Sequence, residues 1–199
     1  MIVRARAPLR LSFGGGGTDV SPYMDEFGGV VINATMDRYA YASMRRTQES
    51  GVSERSLDFD ILAKYEQQDK LPLDGELDLV KAAINRMNKF AVAPISQQGL
   101  EFFIHSDAPP GSGLGSSSTM CIALLGLLRH WLNVSLTDYQ LAEMAFDVER
   151  IDLNIAGGRQ DQYASLFGGF NFIEFSENGS TVVNPLRVRP ETINELQYL

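Results

Sequence analysis

A single cysteine in 199 residues excludes a disulfide framework, and Cys121 lies in an apolar run where a structural, buried thiol is expected. Cations are in deficit, with 17 Lys and Arg against 25 Asp and Glu, for a net charge of −8. That balance argues against a nucleic-acid partner. It assigns any bound phosphate to a small molecule held by local donors and a metal. Long hydrophobic runs are also missing. The longest strongly apolar stretch, Met120 to Leu132, is broken by Arg129 and His130 and is too short to span a bilayer. No signal-like segment, internal repeat or low-complexity tract is evident. The expectation is a cytoplasmic globular protein with no membrane partner. At 44% apolar residues the chain can bury one large domain, or one domain and part of another.

The organising stretch is PPGSGLGSSSTMCIALLGLLRHWL, Pro109 to Leu132, a glycine- and serine-rich loop joined to the most apolar helix candidate. Gly111, Gly113 and Gly115 let backbone N–H groups turn toward an anion, and the helix adds its unpaired N-terminal donors. This is a phosphate cradle of neither common type. Ser116, Ser117 and Ser118 follow Gly115 where a Walker loop needs Lys, and GSGLGS lacks the last glycine of a Rossmann turn. The structural alternative is a serine-capped buried helix.

Upstream, Ile2 to Phe13 predicts two short strands, or one interrupted by Pro8. Gly14 to Gly17 then precede Thr18 and Asp19, a loop suited to close approach of a ligand. Asp19 is placed to accept sugar hydroxyls, although Asp is equally an ordinary turn residue. Val30 to Thr35 and Tyr39 to Met44 read as two strands paired at an edge or in a hairpin. A further strand is expected at Ser56 to Ile61, an amphipathic helix over about Glu76 to Phe90, and a strand at Gly99 to Ser106 that ends near His105. His105 reads as a packed or surface residue.

Thr137 and Gln140 form a capping box for a helix running to about Arg150. Glu149 in its last turn opposes the helix dipole, so it calls for a cation: Arg150 or Arg129, or a metal. Asp161, just beyond Gly157 and Gly158, is placed for a general base. Phe170 to Phe175 reads as a strand, and Asn178-Gly179 as a hairpin turn before Thr181 to Val183.

RAPLRLSFGGGGTD, PPGSGLGSSS and GGRQDQ, in that order, resemble the three corresponding motifs of the GHMP small-molecule kinases. The resemblance implies an α+β fold, a mixed sheet with packed helices like domain 2 of ribosomal protein S5. It also implies ATP and Mg²⁺ as cofactors. Pro110, Gly111, Ser112, Gly113, Leu114, Gly115, Ser116, Ser117 and Ser118 would cradle the nucleotide, with Ser117 and Glu149 on the metal. Asp161 and Arg10 would be catalytic, and Gly16, Gly17, Thr18 and Asp19 would hold the sugar. Galactokinases carry Glu-His where Gly16 and Gly17 stand, so a different sugar is implied. The first motif resembles bacterial kinases of D-glycero-D-manno-heptose 7-phosphate, which act on the anomeric hydroxyl, and also L-fucose kinases. Arg45, Arg46 and the glycine loop are candidate donors for the extra phosphate, with exposed arginines as the alternative. A small sugar phosphate is the expected partner, with a homodimer left open. Residues 1–183 would form the N-terminal kinase domain and 184–199 a linker or the start of a C-terminal domain whose own motif is not seen. A chain without that second domain is expected to be a weak enzyme or a non-catalytic binding domain.

Overall fold

The computed structural model describes residues 1–56, 61–65, 68–109 and 111–197. Seven strands occur in it: β1 (Ile2–Gly14), β2 (Gly29–Arg46), β3 (Val52–Ser56), β4 (Ile61–Tyr65), β5 (Leu100–Ser106), β6 (Phe170–Phe175) and β7 (Thr181–Pro185). The helices are α1 (Tyr23–Phe27), α2 (Asp78–Met87), α3 (Ser116–Trp131), α4 (Asp138–Asp147), α5 (Gln160–Phe167) and α6 (Pro190–Leu196). The strands form one sheet in the order β4-β3-β5-β2-β6-β7, with β1 also paired to β2. β3 runs parallel to β5, and the other described pairings are antiparallel, so the sheet is mixed.

β2 is where the site is decided. Its N-terminal half pairs with β6 and its C-terminal half with β5, while β1 follows it along both halves. Between them, Pro8 pairs with Tyr39 but Arg10 pairs with Thr35. Met36, Asp37 and Arg38 thus stand opposite Leu9 alone. A bulge of this kind breaks the two-residue alternation and re-aims the side chains beyond it. Val3 and Ala7 face the helices before the bulge; past it, Arg10 turns to α5. The two strands expected at Val30–Thr35 and Tyr39–Met44 are therefore one central strand, because the bulge bends the pairing without ending it.

The core lies between the sheet and α2, α3 and α4, and is lined by Ala42, Met44, Phe102, Ile84, Met87, Leu141 and Val148. Leu124, Leu125, Leu127 and Leu128 of α3 are all fully buried. Removing one such side chain typically costs about 2–5 kcal/mol. A second, smaller cluster holds Met24, Val31, Tyr163, Ile173 and Phe175.

Other boundaries differ in ways that chain chemistry explains. The expected Glu76–Phe90 helix begins at Asp78 and gives way after Met87 to a 3₁₀ turn at Asn88–Phe90. Of the strand expected at Ser56–Ile61, residues 57–60 lie outside the described residues; Ser56 ends β3 and Ile61 begins β4. The Thr137 capping box is present, but its helix stops at Asp147 and continues as a π-helical turn, Val148–Asp152. α1 and α5 had no counterpart in the sequence reading. β7 extends to Pro185, two residues past the boundary placed at 183, and Pro185 still pairs with Asn171. No helix among the described residues is long and apolar enough to cross a membrane.

Candidate active site

Three successive residues at the start of α5 reach three different partners. Neighbouring positions on a helix diverge by about 100°, so Gln160, Asp161 and Gln162 fan outward. Gln160 meets Asp19, Asp161 meets Arg10, and Gln162 meets Glu149.

Asp161 Oδ1 accepts from Arg10 Nε at 2.6 Å, and Arg10 Nη1 donates to the Gly113 carbonyl at 2.9 Å. A Cβ on Gly115 would stand 3.0 Å from the Asp161 carboxylate, and this glycine has a φ of +73°. Close approach and a left-handed conformation together call for glycine here. Strand β1, the loop 111–115 and α5 thus converge on one carboxylate. Burial pushes the Asp161 carboxyl above its ordinary value, while the charge and hydrogen bond of Arg10 pull it down.

Adjoining it, through the next residue of α5, is a second cluster. Ser117 Oγ donates to Glu149 Oε1 at 2.8 Å, and Gln162 Nε2 donates to Glu149 Oε2 at 2.6 Å. Gln162 Nε2 also lies 3.2 Å from Ser118 Oγ. Glu149 is 1% exposed, and these described partners are neutral groups. A buried carboxylate held only by neutral donors is short of positive charge. Arg150 does not supply it: its guanidinium donates to the carbonyls of Ile155 and Gly158. Arg129 bonds Asp138 instead. The serine-capped reading of α3 does not hold. Its N-cap is Gly115, with no side-chain cap, and Ser118 is buried against Gln162. The first-turn N–H groups of α3 therefore have no capping side chain.

The glycine loop before Asp19 is folded onto the chain. Thr18 Oγ1 donates to the carbonyls of Gly15 and Val30 and accepts from Val30 N. Asp19 is 2% exposed, and its carboxylate accepts from Gly17 N, Gln160 N and Gln160 Nε2. The space beside Gly16 and Gly17 is open: a Cβ on Gly17 would have nothing within 4 Å, and one on Gly16 would meet Ser12 Oγ and Gln160 Nε2 no nearer than 3.8 and 4.0 Å. Pro110 lies outside the described residues. Arg45 and Arg46 are not brought to this site. Arg45 pairs with Ile2, whereas Arg10 pairs with Thr35, about eight strand residues and roughly 26 Å away. Arg45 instead bonds Glu101, and Arg46 stacks on Trp131, so the exposed-arginine alternative applies. His105 stacks on Tyr41 at the sheet surface, and Cys121 is buried with its thiol pushed well up by burial.

Beside the cradle lies a cleft of about 670 Å³. Leu77, Leu79, Ile104 and Met120 give it apolar walls, and Gly111, Ser116 and Ser117 place one end of it at the loop.

The sequence reading missed Gln160 and Gln162, which orient the carboxylates of Asp19 and Glu149, and the loop-holding role of Arg150. The available signal was the GGRQDQ run itself. Two amides flanking an acid at the start of a helix cannot all face solvent.

Residues 78–169 match the family model for the GHMP kinases N terminal domain. The chain is 41% identical to the D-glycero-alpha-D-manno-heptose 7-phosphate kinase of Campylobacter jejuni, over 98% of this chain and 57% of that protein. It superposes with a TM-score of 0.92 on a D-glycero-D-manno-heptose 1-phosphate kinase from Bacteroides thetaiotaomicron, at 40% identity, covering 98% of this chain and 63% of that one. Similarity to the L-fucokinase/L-fucose-1-P guanylyltransferase of Bacteroides fragilis is lower, 24% over 87% of this chain and 20% of that protein. The chain spans less than two thirds of the length of each of these relatives. Its mixed α+β fold, the matched segment and the 41% identity assign it to the GHMP kinases, as their N-terminal domain.

Proposed function

We propose that this domain belongs to an ATP-dependent sugar kinase that transfers the γ-phosphoryl group to the anomeric hydroxyl of a heptose 7-phosphate. The observation that carries the reading is the Arg10–Asp161 pair, held against Gly115 and the Gly113 carbonyl at the mouth of the cradle. The heptose phosphate class is the one common to the names of the Campylobacter and Bacteroides thetaiotaomicron relatives.

The chain's own groups supply the following roles. Backbone N–H groups of Gly111 to Ser116 and the uncapped start of α3 wrap the ATP phosphates, and the apolar walls of the cleft, Leu77, Leu79, Ile104 and Met120, take the base. Ser117 and Glu149 fit Mg²⁺: both offer hard oxygens, they converge to 2.8 Å, and Glu149 lacks a described cation. Bound there, Mg²⁺ would neutralise phosphate charge. Asp161 orients the sugar hydroxyl and receives its proton as the O–P bond forms. Arg10 offsets charge on the transferred group and favours the ionised form of Asp161. Gly16 and Gly17 border the acceptor side.

The test is ³¹P NMR of the chain with Mg·ATP and D-glycero-D-manno-heptose 7-phosphate. Slow formation of ADP and a second, anomeric sugar phosphate is expected, as for a weak enzyme without its second domain, absent with L-fucose and absent in Asp161→Asn. No anomeric phosphate, or the same product from Asp161→Asn, contradicts the reading.

A further inference from the structure

Helix α5 carries Asp161 but lacks a cap of its own. Its N-cap residue is Arg159, whose side chain makes no capping bond. The missing acceptor comes from 141 positions away: Gln160 N donates to Asp19 Oδ2 at 3.0 Å, and Gln160 Nε2 lies 3.4 Å from Oδ1. The same carboxylate accepts from Gly17 N at 3.2 Å, so it ties the glycine loop to the helix. The chain leaves room for this contact: a Cβ on Gly158 would stand 1.9 Å from Asp19 Oδ2. Negative charge at a helix N-terminus is favourable, more so when buried, and Asp19 is 2% exposed.

We propose that Asp19 is a positioning residue, a helix cap supplied from the glycine loop, which fixes where α5 presents Asp161. The proposal rests on the reading of Asp161 given above. Two donors from α5 and one from the glycine loop meet on its two oxygens, so the carboxylate joins the two segments. A ligand entering the glycine loop would therefore be felt at Asp161 through this single side chain. Asp19 also raises the Asp161 carboxyl through its negative charge, so the two acids are coupled through space as well as through Gln160.

The test compares Asp19→Ala with Asp19→Asn, which keeps an oxygen acceptor for Gln160 N but removes the charge. The first readout is amide hydrogen exchange at Gln160 and Asp161 by ¹⁵N NMR. The second is the split between kcat and KM for heptose 7-phosphate. In Asp19→Ala, exchange at Gln160 should quicken about fivefold, the loss typical of a missing cap, and kcat should fall with the sugar KM unchanged. Asp19→Asn should restore most of both. The proposal is overturned if Gln160 protection is unchanged in Asp19→Ala, or if both variants raise the sugar KM equally. Should Asp19→Ala not fold, Asp19→Ser, with a shorter acceptor, takes its place in the same comparison. Should the wild-type chain show no phosphoryl transfer, the kinase reading fails, while the exchange measurement still decides whether Asp19 caps α5.

Discussion

Arg10 Nε and Nη2 both lie 2.6 Å from one oxygen of Asp161, across 151 positions of sequence. The pair is part-buried, so two opposing effects act on the acid. Burial, the larger, pushes the Asp161 carboxyl up, and Arg10 pulls it down. Arg10→Met should therefore move the Asp161 titration to higher pH, measured by ¹³C NMR of its carboxyl carbon. In turnover, the acid limb, where Asp161 becomes protonated, should move to higher pH in the same variant. An unchanged or lowered Asp161 titration would show that Arg10 does not act on it.

Gly158 tests the junction between the glycine loop and α5. Its φ is not in the left-handed region, so a side chain is barred by space alone, with Asp19 Oδ2 at 1.9 Å from where a Cβ would stand. Gly158→Ala should destabilise the fold by about 2 kcal/mol or more, as overpacking does. Gly17, with a φ of +94° and nothing within 4 Å, meets only backbone strain. Gly17→Ala should cost on the order of 1 kcal/mol. Urea unfolding of both variants checks the order, and the reverse order would count against the close Gly158–Asp19 contact.

Glu54 makes stability depend on pH. It is fully buried in β3 with both carboxylate oxygens unpartnered among the described residues, and burial pushes it up to about 8, with Lys81 lowering it and Asp78 raising it. A folded value above the unfolded value of about 4.5 means that the native state holds the proton. Stability should therefore fall as pH rises from about 4.5 to 8 and level off above. Glu54→Gln should remove this slope, gaining on the order of 5 kcal/mol at about pH 9 and little at about pH 5. Urea midpoints at the two pH values measure it. An equal effect at both would mean that Glu54 is not held neutral.

What could be read from sequence was what local chemistry dictates. The Thr137–Gln140 box, the apolar run of α3 and the Asn178-Gly179 turn each carry their own signal, and each marks an element of the fold. The grouping of the candidate site residues was also legible. Arg10, Asp161, Ser117 and Glu149 do come together in two adjoining clusters. What the sequence concealed depends on distant partners. The bulge opposite Leu9 needs β1 and β2 in register before it exists, so one strand read as two. The α5 helix is short, and its capping acceptor is remote, so GGRQDQ carried no helix signal of its own. For the same reason the contacts of Asp19 to Gly17 and Gln160 could not be read from the sequence. Arg45 and Arg46 looked available for a phosphate because a one-dimensional reading has no distance between the two ends of β2.

Loop 111–115 and the first turn of α3, with Ser117 and Glu149, stand at the centre of the proposed function as a metal-assisted ATP site. Calorimetric titration of ATP with and without Mg²⁺, in the wild type and in Ser117→Ala, tests it most directly. Binding should be tighter with Mg²⁺ in the wild type, and Ser117→Ala should lose about tenfold, confined to the Mg²⁺ titration, about 1.4 kcal/mol. No ATP binding by the wild-type chain, or equal affinity in both proteins with Mg²⁺ present, would contradict it.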